Sequence, residues 1–269
     1  MSAPHGDPAG RGQGGTLICA LLLDRDDAAE FAGGEGSALG RPLCAYAFMA
    51  ARGSAHVRRT YAMTGSAPVK AAALQYGAVI VAPPAGKVSA QEFLRHGYRQ
   101  AAADLLQEGA APELLVALCA NAPAVTKDMI DTGVEALLDR PDLDSALSVA
   151  RQERWSPALA QKQAEDGLLV PCSAAGAPAA DDAPVWYPTW GVMVLRPRCI
   201  EDAGAQGPLP WLGRKVLPLK QWGVGPIDFH WQIPSLEFWL KKNGIPDLSS
   251  GLERQPLPQP RLLPKGNRR

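Results

Sequence analysis

The sequence predicts an α/β domain built on a mostly parallel, mixed sheet flanked by helices. Three observations carry this expectation. Short apolar runs alternate with helix-patterned segments along most of the chain, which is the order a parallel sheet with helical crossovers requires. Leu17–Leu23 (LICALLL) is apolar at every position, as a central strand covered on both faces must be. The segments read as helices carry their own start and stop signals.

The elements follow in order. Leu17–Leu23 is the first strand. After a Gly-rich stretch, 42–51 (PLCAYAFMAA) opens a helix with Pro42 in its first turn. Val57–Met63 is the second strand. The helix over 67–76 stops at Gly77, a helix-ending residue, and 78–81 is a short third strand. Ser89 and Glu92 form an S-x-x-E capping box before a long helix, in which Leu94, Tyr98, Ala101 and Leu105 share one face. A buried strand follows at 114–119 (LLVALC). Thr126 can cap the next helix, with Ile130, Val134 and Leu137 on its inner face. Strands are expected at 145–149 and 190–195, with an extended piece at 213–219. Ile233, Leu236 and Leu240 mark a last helix, closed by Gly244 and Pro246. The pattern divides the chain into a disordered lead-in (1–14), one domain (15–247) and a Pro-rich basic tail (248–269) expected to be disordered. Within the domain, 150–190 is rich in loops, and 171–184 is low in complexity.

Composition narrows the function classes. Of 269 residues, 46% are hydrophobic, enough for a sizeable core. Lys plus Arg and Asp plus Glu each number 27. That balance lacks the basic excess of a nucleic-acid binder. No apolar run reaches the ~18 residues of a membrane span, and 1–14 lacks the pattern of a signal peptide. Cys19, Cys44, Cys119, Cys172 and Cys199 are scattered and lack metal-site spacing. They read as buried free thiols of a cytoplasmic protein.

In open α/β sheets, ligands sit beyond the carboxyl ends of the strands. That rule points to four places: 24–41, 64–66, 119–125 and 226–231. Together with the C-terminal third they carry a family resemblance. Gly213-Arg214-Lys215-Val216-Leu217-Pro218 resembles a G-[KR]-K-x-x-P segment, and Ile227-Asp228-Phe229-His230-Trp231 resembles a D-I-D-W segment before a final helix. Gly40-Arg41-Pro42-Leu43 with Ala45-Tyr46 is similar to G-[KR]-P-L-I-A-Y. Asp144-Ser145-Ala146 with Ser148-Val149 is similar to D-S-x-x-S-V, and 118–125 (LCANAPAV) stands where L-Q-x-T-S-P-L would. These are motifs of the acylneuraminate (CMP-sialic acid synthetase-like) cytidylyltransferases. The resemblance spans about residues 16–245 and implies the nucleotide-diphospho-sugar transferase (GT-A-like) fold.

The resemblance implies cytidylyl transfer from CTP to a sialic-acid-like keto sugar acid, with release of pyrophosphate. It also implies a homodimer, with 150–190 as the dimerisation arm, and a divalent cation, Mg2+ or Mn2+, held by carboxylates. On this reading Asp228 and His230 are the candidate metal ligands. Imidazole suits manganese or another transition metal better than magnesium. Arg25 and Lys215 are the candidate catalytic cations. Gly33, Gly34, Thr64 and Asn121 would bind nucleotide, and Arg214, Tyr187 and Trp190 the acceptor. Each has a plainer alternative. Asp228 could be a cap beside the last helix, His230 a hydrogen-bonded ring next to Trp231, and Asn121 a turn residue before Ala122-Pro123. Arg25 could be a solvated ion-paired charge, Gly33-Gly34 a flexible loop and Arg214-Lys215 a solvated basic turn. Trp186, Tyr187, Trp190 and Trp211 could be core or dimer interface rather than a sugar-binding wall.

The loop after the first strand departs from the family pattern. It carries Arg25 but no lysine, and adds Asp26, Asp27 and Glu30. Like charges about 4 Å apart cost about 4 kcal/mol at an effective dielectric of ~20, so these carboxylates would repel a triphosphate. Three readings therefore stand: an active cytidylyltransferase, a catalytically weak or inactive homologue that binds sugar or nucleotide or partners a true transferase, and a transferase with another donor or metal.

Overall fold

Strand β1 (Leu17–Leu23) is the centre of a seven-stranded sheet in the computed structural model, which describes residues 17–25, 36–151, 160–172, 185–202 and 207–249. β1 pairs in parallel with β4 (Val57–Met63) on one side and β6 (Pro112–Cys119) on the other. β5 (Val79–Val81) extends the sheet beyond β4, also in parallel. On the other flank β10 (Trp186–Leu195) runs antiparallel between β6 and β7 (Ser145–Arg151), and β11 (Val216–Gln221) lies parallel to β7 at the edge. Six strands thus share one direction and β10 opposes them. The expected mostly parallel, mixed sheet is the one observed.

The alternating side chains of β1 explain the three layers. Ile18, Ala20 and Leu22 enter one apolar cluster, with α1 (Leu43–Gly53), α2 (Ala67–Gln75) and α4 (Lys127–Asp139) packed over it. Cys19, Leu21 and Leu23 enter a second, under α3 (Ala90–Gln107) and the short α5 (Pro197–Glu201). Both faces being covered is why β1 has no polar position. In α3, a Cβ on Gly97 would lie 2.8 Å from Leu21 Cδ2 and 2.9 Å from Met63 Cε, so the glycine sets how closely this helix approaches the sheet. A third cluster seats the last helix, α6 (Ile233–Lys242). Leu236, Trp239 and Leu240 meet Leu39, Leu43 and Tyr46 there, beside the two-residue ribbon of β2 (Ser37–Ala38) and β3 (Arg41–Pro42).

The local signals hold where they are strongest. The Ser89–Glu92 capping box forms reciprocally, and Thr126 caps α4 through the Met129 N–H. Differences lie at ends and in short elements. Pro42 precedes α1 as its cap residue, and β10 begins at Trp186 rather than 190. Within 150–190 the described residues form a small ribbon of β8 (Gln161–Gln163) and β9 (Leu169–Pro171). The thiols are all free, but not all buried: Cys119 is half-buried, and Cys172, at the end of this ribbon, is exposed. Burial pushes the Cys19 thiol up to about 12 and that of Cys44 to about 11, which keeps both protonated and unreactive. The segment 1–14 and the tail from 250 lie outside the described residues. Leu248 itself is tied back to the domain, its N–H donating to Leu39 O at 3.1 Å.

Candidate active site

A cavity of about 480 Å3 opens at the carboxyl ends of β1 and β6. Its polar lining comes from Asp24, Arg25, Asn121 and Asp228. Three of the four places singled out by the strand-end rule, 24–41, 119–125 and 226–231, contribute to this lining, and 64–66 does not.

Asp24 is the first residue past β1. Its N–H donates to Met63 O at 3.1 Å, continuing the pairing with β4, and its side chain is buried. The Thr64 hydroxyl donates to its Oδ2 and accepts the Ser66 N–H at 2.9 Å. Thr64 is fully buried and does not line the cavity. It holds Asp24 in place rather than touching a ligand. Next to Asp24, the Arg25 guanidinium lies 5.6 Å from the centroid of the Phe93 ring, in cation–π contact. Phe93 sits in the first turn of α3, whose start is fixed by the capping box.

On the β6 side, Ala120 N donates to Leu23 O at 2.9 Å, which aligns the ends of β6 and β1. Ile227 N then donates to Asn121 O at 2.7 Å, docking the segment before α6 onto the end of β6. This brings Asp228 beside Asn121, whose Nδ2 donates to Asp228 Oδ1 at 3.0 Å. Gln232 closes the turn: its Oε1 accepts the N–H groups of Asp228 and Phe229 at 2.7 and 2.8 Å.

The remaining wall is apolar and aromatic. Trp190 lines it from a bulge in β10, where pairing with β7 breaks between Pro188 and Met193. Its φ is +58°, in the left-handed region that a tryptophan rarely occupies. A buried hydroxyl knot supports the bulge. Ser148 Oγ accepts from Thr189 Oγ1 at 2.9 Å and from Val192 N at 3.0 Å, while Gln221 Nε2 donates to Thr189 Oγ1 at 2.6 Å. Gly191 completes it, since a Cβ there would lie 3.0 Å from Ala124 O. Trp211 closes the wall from across the cavity. Its indole N–H is buried with no acceptor among the described residues.

Several expected site residues lie elsewhere. Arg214 and Lys215 precede β11, and β11 runs parallel to β7, so both stand at the amino end of the sheet, opposite the cavity. There the backbone N–H groups of Arg214 and Lys215 donate to Asp144 Oδ2 at 2.9 and 3.1 Å. Lys215 Nζ reaches Asp142 at 3.4 Å, with its side chain 61% exposed. The G-R-K segment is a clasp on Asp144, and a role for either side chain at the cavity does not fit this placement. Tyr187 is half-buried, paired with Ala150, and outside the cavity lining. His230 is half-buried in a short 3-10 turn, also outside it. Gly33 and Gly34 lie outside the described residues. Among the described residues no group of three or more His, Cys, Asp or Glu is placed to hold a metal. Two contributors carried little sequence signal. Asp24 was discoverable only as the residue immediately past the LICALLL run, and Phe93 looks like any core position of α3.

No family model and no curated protein matches the chain. Solved structures do. A CMP:2-keto-3-deoxy-manno-octonic acid synthetase complexed with CTP is 13% identical and superposes with a TM-score of 0.60, covering 85% of this chain and 100% of that one. A 4-diphosphocytidyl-2C-methyl-D-erythritol synthase from Anaerococcus prevotii is 11% identical, with a TM-score of 0.57 over 84% of this chain and 99% of that one. A cytidylyltransferase from Leptospira borgpetersenii is 11% identical, with a TM-score of 0.52 over 84% of this chain and 87% of that one. The chain has the α/β fold that these cytidylyltransferases share.

Proposed function

We propose that this protein transfers a cytidylyl group from CTP to an acceptor hydroxyl and releases pyrophosphate. The observation that carries the reading is the convergence of Asp24, Arg25, Asn121 and Asp228 on one cavity, in a fold shared with a synthetase solved with CTP. Magnesium is commonly held by one or two carboxylates plus substrate phosphates and water. Asp228, oriented by Asn121, and Asp24, oriented by Thr64, fit that donor set. Magnesium or manganese bound there would neutralise phosphate charge and favour loss of pyrophosphate. Because His230 is absent from the lining, the transition-metal argument loses its support.

The residues of the chain supply the rest. Arg25 places a permanent positive charge at the cavity, where charge on the transferring phosphoryl oxygens has to be met. Asn121 keeps Asp228 turned toward the cavity, and Thr64 does the same for Asp24. The aromatic wall presents an apolar surface on the acceptor side.

Pyrophosphate release from CTP with magnesium or manganese, measured over a panel of hydroxyl acceptors, tests the proposal. Absence of CTP binding by calorimetry with either ion present would falsify it. A second reading, a weak or inactive homologue acting as a binding or partner subunit, has one observation in its favour. The segment 26–35 (DDAAEFAGGE) holds four carboxylates and no Lys or Arg. Nucleotide binding without turnover on any acceptor is its signature. A homodimer belongs to the proposal too, with Leu168 and Leu169, 65% and 69% exposed on the β8–β9 ribbon, as the contact. Light scattering on the wild type and on Leu169→Glu would show it. The free thiols suit a cytoplasmic setting, and no helix among the described residues is long and apolar enough to cross a membrane.

The acceptor is the finer part of this reading. A sialic-acid-like keto sugar acid is the one the sequence resemblance implies, but its carboxylate would need the cations that stand at the other end of the sheet.

A further inference from the structure

The cavity wall formed by β10 departs furthest from regular structure at Trp190. Between the paired positions Pro188–Val149 and Met193–Leu147, β10 takes five steps where β7 takes two. The surplus is looped out and pinned at both ends by one side chain. Ser148 Oγ accepts from the Thr189 hydroxyl at 2.9 Å and from the Val192 N–H at 3.0 Å. Thr189 and Val192 are buried, so Trp190 and Gly191 form the tip. Gly191 backs onto the segment after β6, where a Cβ would lie 3.0 Å from Ala124 O, and that fixes the tip from behind. Trp190 is left half-buried with its φ at +58°, and it lines the cavity. A left-handed backbone is an outlier for a bulky residue, and glycine or asparagine would occupy it at lower cost. Such strain persists only where the surroundings over-determine it, and it clusters at ligand sites. Bulges beside active sites re-aim a side chain in this way.

We propose that Trp190 is a substrate-binding residue, whose indole is the platform on which a ring of the substrate lies by its apolar face. The inference deepens the cytidylyl-transfer reading, which supplies two such rings: the cytosine base and a cyclic acceptor such as a sugar or cyclitol. Either ring gains from lying flat on an aromatic plane. Met193, Leu209 and Trp211 border the same cavity, so the ring on Trp190 is seated among apolar side chains. Trp190 stands on the β10 flank, beyond the ends of β1 and β6 that carry Asp24, Arg25 and Asn121. Ring and phosphates thus have separate places in one cavity.

Two substitutions in the full-length protein separate the ring from the backbone. Trp190→Asn introduces a residue that tolerates the left-handed region and removes the ring. Trp190→Phe keeps an aromatic face. Calorimetry follows cytidine and CTP with magnesium on one arm, and hexoses, cyclitols, amino sugars and uronic acids on the other. Pyrophosphate release gives KM for each substrate. Trp190→Asn should weaken one ring class about tenfold, raising its KM more than it lowers kcat, with the other class within about twofold and Trp190→Phe within about threefold of wild type. The arm that moves names the ring as base or acceptor. In Trp190→Phe most of the ligand-induced tryptophan fluorescence change of the wild type should disappear, a readout that holds even if Trp190→Asn fails to fold. Unchanged binding and KM on both arms in a folded Trp190→Asn would overturn the inference. So would equal weakening on both arms, which reports a collapsed wall, an undiminished fluorescence change in Trp190→Phe, or a wild type that binds neither class. The transfer reading fails separately. A wild type without CTP binding or turnover, whose binding of the ring compounds is lost in Trp190→Asn, would remove the transfer and leave the platform standing.

Discussion

Both ends of the sheet carry charged residues, but they use them differently. At the amino end, Asp144 is saturated by its own chain. Its Oδ1 accepts from Arg198 at 2.9 Å, and its Oδ2 accepts the N–H groups of Arg214 and Lys215. Around it, Ser145 Oγ donates to Leu212 O at 2.6 Å and Arg196 Nε to Leu143 O at 2.8 Å. Burial alone would raise the Asp144 pKa, but the Arg198 guanidinium and the two N–H groups outweigh it and hold the carboxyl at about 2. At the carboxyl end, Asp24 accepts from the Thr64 hydroxyl and Asp228 from the Asn121 amide, and both line a cavity. A charge whose bonds all go to its own fold stabilises the fold. A charge that lines a cavity can also meet a ligand there.

The largest effect expected from this contrast is at Asp228. Asp228→Ala should lower the rate of pyrophosphate release by about 10²–10³-fold, the usual consequence of removing one preorganised group from such a site. Its melting temperature should stay near wild type, because the Ile227–Asn121 and Gln232 backbone bonds remain. If turnover persists at the wild-type rate, the carboxyl-end cavity is not where the chemistry occurs.

The opposite pattern is expected at Asp144. Asp144→Ala leaves two N–H groups and a guanidinium without their acceptor, a loss of about 1–3 kcal/mol in unfolding free energy, with kcat little changed. The sign of the pH dependence follows from the lowered pKa. The carboxylate contributes stability above its unfolded value of 3.8, and that contribution is lost as pH falls toward about 2. Denaturant titrations of the wild type and Asp144→Asn between pH 5 and 2 should therefore converge at the acid end. Gly213 tests the same clasp without touching charge. It has φ of +72°, and a Cβ there would lie 2.5 Å from that of Asp144, so Gly213→Ala should destabilise by a similar amount.

A smaller effect, visible in both stability and turnover, is expected from the knot under Trp190. Ser148→Ala removes the acceptor of Thr189 and Val192, at a cost of about 1–3 kcal/mol. If the bulge positions Trp190 for the acceptor, KM for the acceptor should rise more than kcat falls. A pure stability loss with unchanged kinetics would reduce the knot to a packing device.

How much of this the sequence announced depends on how local each signal is. β1, the α3 capping box and the Thr126 cap were legible because apolar runs and caps act within one or two turns. Asn121 and Asp228 were legible from the strand-end rule, which needs only the order of elements. The direction of β10 was not, because an apolar run reads the same in both directions. Its bulge depends on Ser148, about forty residues away in sequence. Arg214 and Lys215 were misplaced for a related reason. A motif records which residues are neighbours in sequence, and the end of the sheet they occupy is fixed by whether they precede or follow their strand. They precede β11, and that alone puts them opposite the cavity.

Lys215 gives the finest test of that distinction. Its ion pair with Asp142 at 3.4 Å is exposed on both sides, and such pairs contribute about 0–1 kcal/mol. The Lys215 N–H, which does hold Asp144, is untouched by changing the side chain. Lys215→Ala should therefore change the melting temperature by no more than a degree or two and leave acceptor KM and kcat within about twofold. Lys215→Pro removes that N–H and should reproduce part of the Asp144→Ala destabilisation. If Lys215→Ala instead abolished turnover in a protein that melts normally, the amino end of the sheet would have to be part of the active site. A single-chain cavity could not then explain the activity, and the residue would have to reach the substrate across a subunit contact.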